Sequence, residues 1–391
     1  GAVTLAEAQE FLAALGPNAA VMVKSIAGGG GRGMRPARSA GELEKAFEVC
    51  RVEAELAFGS GELYLEQLVQ RARHIEVQIV GDTHGNIVAL GDRDCSAQRM
   101  RQKLIELAPA PDLPAAVREA MHEAAVKLGK AAGYDNVGTV EFLYNMDEPD
   151  PSRAFLFMEA NPRLQVEHTV TEETTGVDLV QAQILLAAGR TLAQTGCRSG
   201  MQAQGAAIQV RINAEVSAAD GQVRPSGGTL DAFHLPGGKG VRVETFAYPG
   251  MTLSPAFDSL LAKLVVHGAD IQAAARRARR ALGEFTITGV PTNKAVMLAL
   301  LDQPELLSGE LDTLFVERER ASLNKRAEAY AERASRLPQG AGAKTKDKTV
   351  AAPDGQVSIV SPLSGLTVRV DVAEGDEVWA GKPVALVEGM K

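Results

Sequence analysis

A dense set of chemically active side chains lies in the stretch FLFMEANPRLQVEH, residues 155–168. Polar residues take every odd position from 159 to 167, and they are Glu159, Asn161, Arg163, Gln165 and Glu167. Alternate side chains of an extended strand point to opposite faces, so this pattern predicts carboxylates, amides and a guanidinium along one face. Extended, this face spans about 26 Å at roughly 3.3 Å per residue. We expect one end to bind a metal–phosphate group and the other to meet a second reactant.

An amphipathic edge strand with a solvated face is the alternative interpretation. The mixture of amides and Arg163 between carboxylates disfavours it, because solvated faces favour Lys, Thr and Ser. A hairpin through residues 145–153 would bring Glu141, on a strand predicted at 139–144, beside Glu159. Adjacent carboxylates repel unless a cation joins them, and oxygen ligands suit Mg²⁺ or Mn²⁺ bridging ATP phosphates. Exposed carboxylates on separate strands are the alternative, which the glycine-rich segment upstream disfavours.

That glycine-rich segment follows a strand predicted at 20–23. Lys24 precedes four consecutive glycines, 28–31, and Gly33 follows two positions later. Glycines cost backbone entropy inside a helix or strand, but their bare N–H groups can lie against a phosphate chain. Lys24 would add a positive charge for phosphate oxygens. The motif is neither G-x-G-x-x-G nor a P-loop. A flexible linker is the alternative, but the flanking strand and a helix predicted at 42–58 favour a phosphate-binding lid.

Helices and strands mix along the rest of the chain. Helices are predicted at 6–15, 114–132, 178–188, 271–282 and 292–301, with another starting at Thr171, and strands at 61–69, 74–80, 86–90, 154–160 and 206–213. The charged segment 91–110 is expected to be irregular, and its Arg99, Arg101 and Lys103 either neutralise an anionic substrate or belong to a solvated loop. An arginine in a strand, such as Arg211, more often pairs with a structural carboxylate than does chemistry. The arginines of 271–282 predict a solvated face.

Composition excludes several classes of protein. The 391 residues suffice for two or three domains, and the net charge of -8 without a long basic block argues against nucleic acid as a partner. No apolar run approaches membrane-spanning length. Three scattered cysteines form neither a disulfide framework nor a zinc motif, which is typical of a reducing compartment. We expect a cytoplasmic protein, with the mitochondrial matrix as an alternative.

Three stretches resemble the biotin carboxylase family of ATP-grasp enzymes. They are Lys24 with GGGGRGM, RDCSAQRMRQK at 93–103, and EANPRLQVEH at 159–168. The resemblance runs from about residue 1 to Arg318, and the tail that ends in EGMK resembles the first half of a biotinyl carrier domain. It implies an α+β ATP-grasp fold followed by a partial all-β biotinyl barrel, within a longer protein. The implied domains are a lid at 1–69, a carboxy-terminal ATP-grasp domain at 70–318, a linker at 319–354 and half a biotinyl domain at 355–391.

The resemblance also implies a role for each matching residue. ATP would be bound by Lys24, Gly28, Gly29, Gly30, Gly31, Gly33, Glu66, Val69, His74 and Gln98, divalent metals by Glu141, Glu159 and Asn161, and bicarbonate by Lys103, Arg163, Gln165 and Val166. Glu167 would be the general base, Arg211 would stabilise the biotin enolate, and Lys391 would carry biotin. Met100 and Arg101 depart from the family pattern, which usually has Arg and His there, and Ala27 replaces a glycine.

The implied activity is that of an ATP-dependent ligase that carboxylates protein-linked biotin with bicarbonate through carboxyphosphate. Its cofactors would be biotin, ATP and Mg²⁺ or Mn²⁺. Its partners would be a carboxyltransferase and a biotin protein ligase, and the protein would form an oligomer, with an acyl-CoA as the final acceptor. Urea or a 2-oxo acid such as pyruvate is an alternative acceptor. An ATP-grasp ligase of the carboxyaminoimidazole ribonucleotide or carbamoyl-phosphate type, or an inactive scaffold, is the alternative function.

Overall fold

The computed structural model describes residues 1–16, 19–27, 34–69, 71–217, 223–336, 366–379 and 381–388. The predicted glycine lid at 28–33 and Lys391 lie outside the described residues. Backbone contacts divide the chain into two compact units, residues 1–74 with 142–158, and residues 75–141 with the chain from 159 onward. No helix in the described ranges has both the length and the apolar character needed to cross a membrane.

The first unit contains a small antiparallel sheet packed against two helices. Its elements are α1 (Leu5–Ala14), β1 (Val21–Ser25), β2 (Met34–Ala37), α2 (Ala40–Phe58) and β3 (Leu63–Gln67), with strand order β2-β1-β3. A capping box between Thr4 and Glu7 begins α1, because each side chain binds a backbone N–H that the helix leaves unpaired. Val21, Val23 and Leu43 are fully buried where α2 covers the sheet. Four of these elements, α1, β1, α2 and β3, confirm the predicted helices and strands within two residues, whereas β2 was not predicted.

The next elements are β4 (Ala72–Gly81), β5 (Ile87–Arg99), β6 (Gln102–Ala108), α3 (Ala115–Ala131), β7 (Val137–Asn145), β8 (Phe155–Asn161), α4 (His168–Thr175), α5 (Leu179–Ala187), α6 (Leu192–Thr195) and β9 (Ala206–Asn213). Then come β10 (Glu215–Ser217), β11 (Val223–Pro225), β12 (Gly228–Thr229), β13 (Ala232–His234), β14 (Val241–Thr245), β15 (Thr252–Leu253), β16 (Leu260–Gly268), α7 (Ile271–Glu284), β17 (Thr286–Thr288), α8 (Lys294–Leu301), α9 (Pro304–Ser308), α10 (Phe315–Arg318) and α11 (Arg320–Arg336). A short antiparallel pair, β18 (Leu366–Val370) and β19 (Ala385–Glu388), ends the described chain.

An eight-stranded sheet forms the frame of the site, in the order β14-β16-β9-β6-β5-β4-β7-β8. Every residue of β4 is buried, so both of its faces are covered. On one side, α7 presents a stripe of small residues, Ala274, Ala275, Ala278 and Ala281, to the sheet, which lets the helix backbone approach closely. Phe285 is fully buried beyond that helix, with its ring edge-to-face with Phe233 at 5.2 Å.

The predicted strand through 155–168 is wrong beyond Asn161, where β8 ends. Pro162 follows, and it has no N–H to donate to a sheet. The chain then turns, and α4 begins at His168, three residues before the predicted start at Thr171. The side chains of 159–167 therefore do not share one extended face, and the expected 26 Å separation between the ends does not exist.

The prediction of an irregular segment at 91–110 is also wrong. Most of it forms the β5–β6 hairpin, whose tip residues Met100 and Arg101 have φ of 47° and 65°. Two positive φ values match the hairpin turns whose twist fits that of the strands. The charges of this segment left a solvated loop and a substrate-binding role both open, and three of them, Arg93, Lys103 and Glu106, form ion pairs with residues of other strands of the sheet. The arginines of α7 are likewise not simply solvated, since Arg277 donates to the carbonyl of His267 and Arg279 to Asp302.

Candidate active site

Buried charges cluster on neighbouring strands of the second unit. Glu76 on β4 is the register partner of Arg93 on β5, and Glu106 on β6 is the partner of Gln209 on β9. All four side chains are completely buried. Charged groups this deep are stable only when they are paired and hydrogen-bonded, so their contacts define a built polar site.

Lys103 lies at the centre of the carboxylates. Its Nζ is 2.7 Å from Glu76 Oε2, 3.2 Å from Glu141 Oε1 and 2.5 Å from Glu167 Oε1. Burial lowers the pKa of Lys103, but Cys95 and the surrounding carboxylates outweigh that effect and raise the pKa well above its ordinary value. Lys103 is therefore a fixed cation at neutral pH.

Glu167 is held between two cations. Its Oε1 accepts from Lys103, and its Oε2 accepts from Arg211 Nη2 at 3.0 Å. Arg211 also donates through Nε to Glu106 Oε1 at 2.5 Å. Burial lowers the pKa of Arg211, but the carboxylates of Glu106 and Glu167 outweigh it and raise the pKa above its ordinary value. Arg211 thus has the structural carboxylate partner that its strand position suggested, Glu106, and a second contact joins it to the predicted general base, Glu167.

The turn before α4 is what places Glu167. The His168 ring donates from Nδ1 to the carbonyl of Gln165 at 2.7 Å, and Lys263 Nζ donates to the carbonyl of Val166 at 2.9 Å. Burial lowers the pKa of His168, so the imidazole is neutral at pH 7 with its proton on the nitrogen that faces the carbonyl. Two side chains thus fix consecutive carbonyls just before the carboxylate.

The three predicted metal ligands lie together. Asn161 Nδ2 is 3.0 Å from Glu141 Oε1 and 3.4 Å from Glu159 Oε1, and Arg163 donates to Asn161 Oδ1 at 3.1 Å. The adjacent strands β7 and β8 bring the two carboxylates to one amide, as the hairpin argument predicted. Two carboxylates and an amide oxygen are the hard donors that Mg²⁺ prefers, and these residue types fit such an ion once the Asn161 amide turns its oxygen from Arg163 to the carboxylates.

Sequence reasoning missed Arg93, which organises much of this cluster. It donates to Glu76 at 2.5 Å and Gln78 at 2.7 Å, and further to Thr171, Thr139 and Gln165 at 2.9, 3.1 and 3.3 Å. The bond to Gln165 Oε1 orients that amide so that its Nε2 donates to Glu141 at 2.8 Å. The available signal was a charged residue in a strand that is buried on both faces. Glu76 and Glu106 carried the same signal and were missed too.

The predicted nucleotide ligands occupy both units. In the first unit, Lys24 on β1 forms an ion pair with Glu66 on β3, with its Nζ 5.9 Å from the Tyr64 ring centroid, and Val69 follows β3. His74 on β4 and Gln98 on β5 are both buried. The ATP-binding roles of these residues therefore stay predictions.

The basic residues of the β5–β6 hairpin have different partners. Arg99 makes a two-pronged ion pair with Glu215, with distances of 2.9 and 2.8 Å, so it is not available for a substrate. The Met100 side chain is 75% exposed at the hairpin tip, and its backbone N–H donates to Glu317. Lys103, at the other end of the turn, enters the buried cluster. The turn thus separates one structural cation from one at the site.

Two family models match most of the chain. Carbamoyl-phosphate synthase L chain, ATP binding domain, matches residues 2–195, and Biotin carboxylase C-terminal domain matches residues 209–318. Biotin carboxylase 1 of Bacillus subtilis is 43% identical over 76% of this chain and 64% of its own length. Human mitochondrial pyruvate carboxylase is 44% identical over 80% of this chain and 26% of its own length. The chain therefore spans about two thirds of that curated biotin carboxylase.

Solved structures agree with the family models. A biotin carboxylase complex from Campylobacter jejuni superposes with a TM-score of 0.73 and 39% identity, covering 81% of this chain and 69% of that one. The biotin carboxylase domain of Hydrogenobacter thermophilus 2-oxoglutarate carboxylase, solved with MgADP, ADP and bicarbonate, has a TM-score of 0.73 and 38% identity, with 82% and 68% coverage. This chain belongs to the biotin carboxylase family of ATP-grasp enzymes.

Proposed function

We propose that the protein catalyses the ATP-dependent carboxylation of protein-linked biotin by bicarbonate. The observation that carries this proposal is the Glu167 carboxylate, which lies between the cations Lys103 and Arg211. A base that takes a proton from an anion needs cations beside it to hold that anion. Here both cations reach the base itself, whose side chain is 3% exposed, while Lys103 and Arg211 keep 14% and 17% of their side chains exposed.

The chemistry proceeds in two stages. Lys103, Arg163, Gln165 and the Val166 backbone hold bicarbonate, and Glu167 accepts its proton. The resulting oxyanion attacks the γ-phosphorus of ATP, which releases ADP and forms carboxyphosphate. Lys24 and the glycine lid at 28–33 contact the ATP phosphates, while Glu66, Val69, His74 and Gln98 contact the rest of the nucleotide.

In the second stage biotin is the substrate. Carboxyphosphate breaks down to CO₂ and phosphate, and the phosphate removes the proton from the ureido nitrogen of biotin. The negative charge that develops on the ureido oxygen is stabilised by the Arg211 guanidinium. The nitrogen then attacks CO₂, which forms the carboxylated product and completes a C–N bond.

Glu141, Glu159 and Asn161 would hold Mg²⁺, or Mn²⁺, at the phosphate end of the site. The bound ion supplies positive charge that neutralises the phosphate oxygens during transfer. The Asn161 amide donates to both carboxylates in this structure, so binding of the ion requires the amide to turn its oxygen towards them. Gln165 adds a third N–H donor to Glu141 and holds that carboxylate in the same place.

The domain roles are part of the same proposal. Residues 1–69 form the lid, 70–318 the catalytic carboxy-terminal domain, 319–354 a linker and 355–391 the first half of a biotinyl domain with biotin on Lys391. A carboxyltransferase then moves the carboxyl group to an acyl-CoA, as in an acyl-CoA carboxylase α-chain. The proposal of an acyl-CoA acceptor is supported by the order of the segments, because the biotinyl stretch comes directly after a linker.

A 2-oxo acid is the second candidate acceptor. It is favoured by the relatives that carry a matching carboxylase region, namely pyruvate carboxylases and 2-oxoglutarate carboxylase. The labelled carboxyl group discriminates between the candidates. The intact protein, once labelled, is mixed with its carboxyltransferase and with an acyl-CoA, pyruvate or 2-oxoglutarate in turn, and the acceptor that gains label is identified.

The central test uses the intact protein with ATP, Mg²⁺ and labelled bicarbonate. We expect acid-labile label on the protein, and we expect Lys391→Arg to abolish it. Glu167→Gln should abolish labelling while nucleotide still binds, whereas Glu123→Gln, at an exposed position of α3, is the matched control and should label normally. Near-normal labelling by Glu167→Gln would contradict the proposed role of the base, and an unlabelled wild type with confirmed biotin would contradict the activity.

A further inference from the structure

A chain of buried polar groups leads to Arg211 through Glu106. Thr169 Oγ1 donates to Gln209 Oε1, and Gln209 Nε2 donates to Glu106 Oε2 at 3.0 Å. The other oxygen, Glu106 Oε1, accepts from Arg211 Nε at 2.5 Å. Thr169, Gln209 and Glu106 are each completely buried. Both oxygens of Glu106 are thus committed, and its carboxylate has one orientation.

The partners of Glu106 differ in charge. Gln209 is neutral, so its amide orients the carboxylate without compensating its charge, and Arg211 is the cation that contacts it. Burial raises the pKa of Glu106, and the Arg211 guanidinium opposes that shift. Removing the carboxylate would leave Arg211 with Glu167 as its anionic contact, and the guanidinium would be free to rotate about that single bond.

The guanidinium is held along one edge. Its Nε binds Glu106 and its Nη2 binds Glu167, so two carboxylates on different elements fix its plane. Its Nη1 has no hydrogen-bond partner among the residues that the structure describes. A planar group whose one edge is fixed presents its remaining N–H groups in a fixed direction.

We infer that Glu106 is a positioning residue for Arg211, and that Gln209 and Thr169 hold its carboxylate in place. Glu106 touches no reacting atom. It fixes the guanidinium plane so that Nη1 remains free to donate to the oxygen of the substrate that gains negative charge. This inference rests on the proposed function, because it assumes that Arg211 serves the biotin stage.

The chain offers a swap that tests this role without breaking the network. Glu106→Gln removes the carboxylate from Arg211. Adding Gln209→Glu restores a carboxylate one residue further along the same chain, where it can accept from both Thr169 Oγ1 and the Gln introduced at 106. The double variant keeps the net charge and the bonds that join residues 169, 209 and 106, but Arg211 now meets a neutral amide oxygen, which binds a guanidinium more weakly than a carboxylate does.

We expect Glu106→Gln to lower kcat for biotin carboxylation by about 10²-fold, the effect of a misplaced catalytic group. Bicarbonate-dependent ATP hydrolysis without biotin should fall much less, and the KM for ATP should not change. The double variant should not recover kcat, because its carboxylate no longer contacts Arg211. Recovery of kcat in the double variant, or a normal kcat in Glu106→Gln, would overturn the inference.

Crystal structures of the same proteins separate this inference from the proposed function. The guanidinium of Arg211 should leave its wild-type position in Glu106→Gln and in the double variant. An unmoved guanidinium overturns the positioning role whatever the activity. A displaced guanidinium in a protein whose wild type carboxylates no biotin supports the positioning role and refutes only the proposed function.

Discussion

Replacing Arg93 by Met is the most severe test of the buried network. The side chain is completely buried and donates to five acceptors. Met fills a similar volume with a flexible apolar chain, so the change removes the charge and the hydrogen bonds while leaving little empty space. The change removes the cation that pairs with the Glu76 carboxylate.

The magnitude follows from the burial of that pair. Both side chains are 0% exposed, and breaking such a pair by removing one partner costs roughly 3–5 kcal/mol, because a charge is left uncompensated. Lys103 still contacts Glu76 at 2.7 Å, which argues for the lower half of this range. The orphaned acceptors on Gln78 and Gln165 add to the cost. We therefore expect a loss of about 3–4 kcal/mol from a total that is about 5–15 kcal/mol for a typical domain.

Arg93→Lys is the matched control. It keeps the positive charge, but a single ammonium cannot reach acceptors spread around a planar fork. We expect it to lose less stability than Arg93→Met. Because it leaves the Gln165 amide unanchored, it should still lower biotin carboxylation. Removing both partners, in Arg93→Met with Glu76→Leu, should cost less than the sum of the single changes, since neither charge is then left alone.

The assay must report on the central sheet. The one tryptophan, Trp379, lies in the segment between β18 and β19, so its fluorescence would not follow this region. Hydrogen exchange of peptides from β4 and β5, together with urea unfolding followed by circular dichroism, measures the change where it occurs. A loss below about 1 kcal/mol in Arg93→Met would refute the reasoning, because it would place the pair in a solvated environment that the structure does not show.

Three further predictions concern packing, pH and a buried ion pair. Phe285→Ala should destabilise the second unit by about 3–5 kcal/mol in urea unfolding, since the ring is fully buried against Phe233, and a loss under about 1 kcal/mol would contradict the packing described. Burial lowers the pKa of His168, so the contribution of its neutral form to stability is complete above the unfolded pKa of about 6.5 and is lost as pH falls through the folded pKa. We expect His168→Gln to flatten the dependence of unfolding free energy on pH below about 6.5. An unchanged slope would count against this. Asp92→Asn should cost roughly 1.5–3 kcal/mol because the carboxylate accepts from Arg118 at 2.8 Å while almost completely buried, and an unchanged melting curve would exclude that contribution.

The elements with a clear periodic pattern could be predicted from the sequence. The strand predicted at 206–213 is β9, and the helix predicted at 114–132 is α3 within one residue at each end. The hairpin argument that joined Glu141 to Glu159 also holds, because strands that are neighbours in sequence are neighbours in the sheet. These predictions needed only local information, namely side-chain period, turn residues and short connections.

The turn at 162–167 could not be predicted, because its cause lies elsewhere in the chain. The polar alternation continued past Pro162 and imitated a strand, but the carbonyls of Gln165 and Val166 are bound by His168 and by Lys263, about a hundred residues away. A period-two pattern reports only that an extended backbone would be amphipathic. It cannot show that a distant lysine offers a better arrangement for the same carbonyl.

The same reasoning explains why the spacing of the charges left it open whether Lys103 meets solvent or a substrate. A charged residue predicts an exposed position only while its partner is unknown. Here Lys103 pairs with Glu76, 27 residues away, and with Glu167, 64 residues away. Arg211 pairs with Glu106, 105 residues away. A cation that satisfies two or three carboxylates at once makes all of them tolerable in the interior, so no member of the set is interpretable alone. Charged residues inside a long strand with apolar neighbours on both sides are therefore better treated as a single unit whose partners must be sought together. For this chain, that rule would have found Arg93, Glu76 and Glu106 along with the residues that the family resemblance supplied.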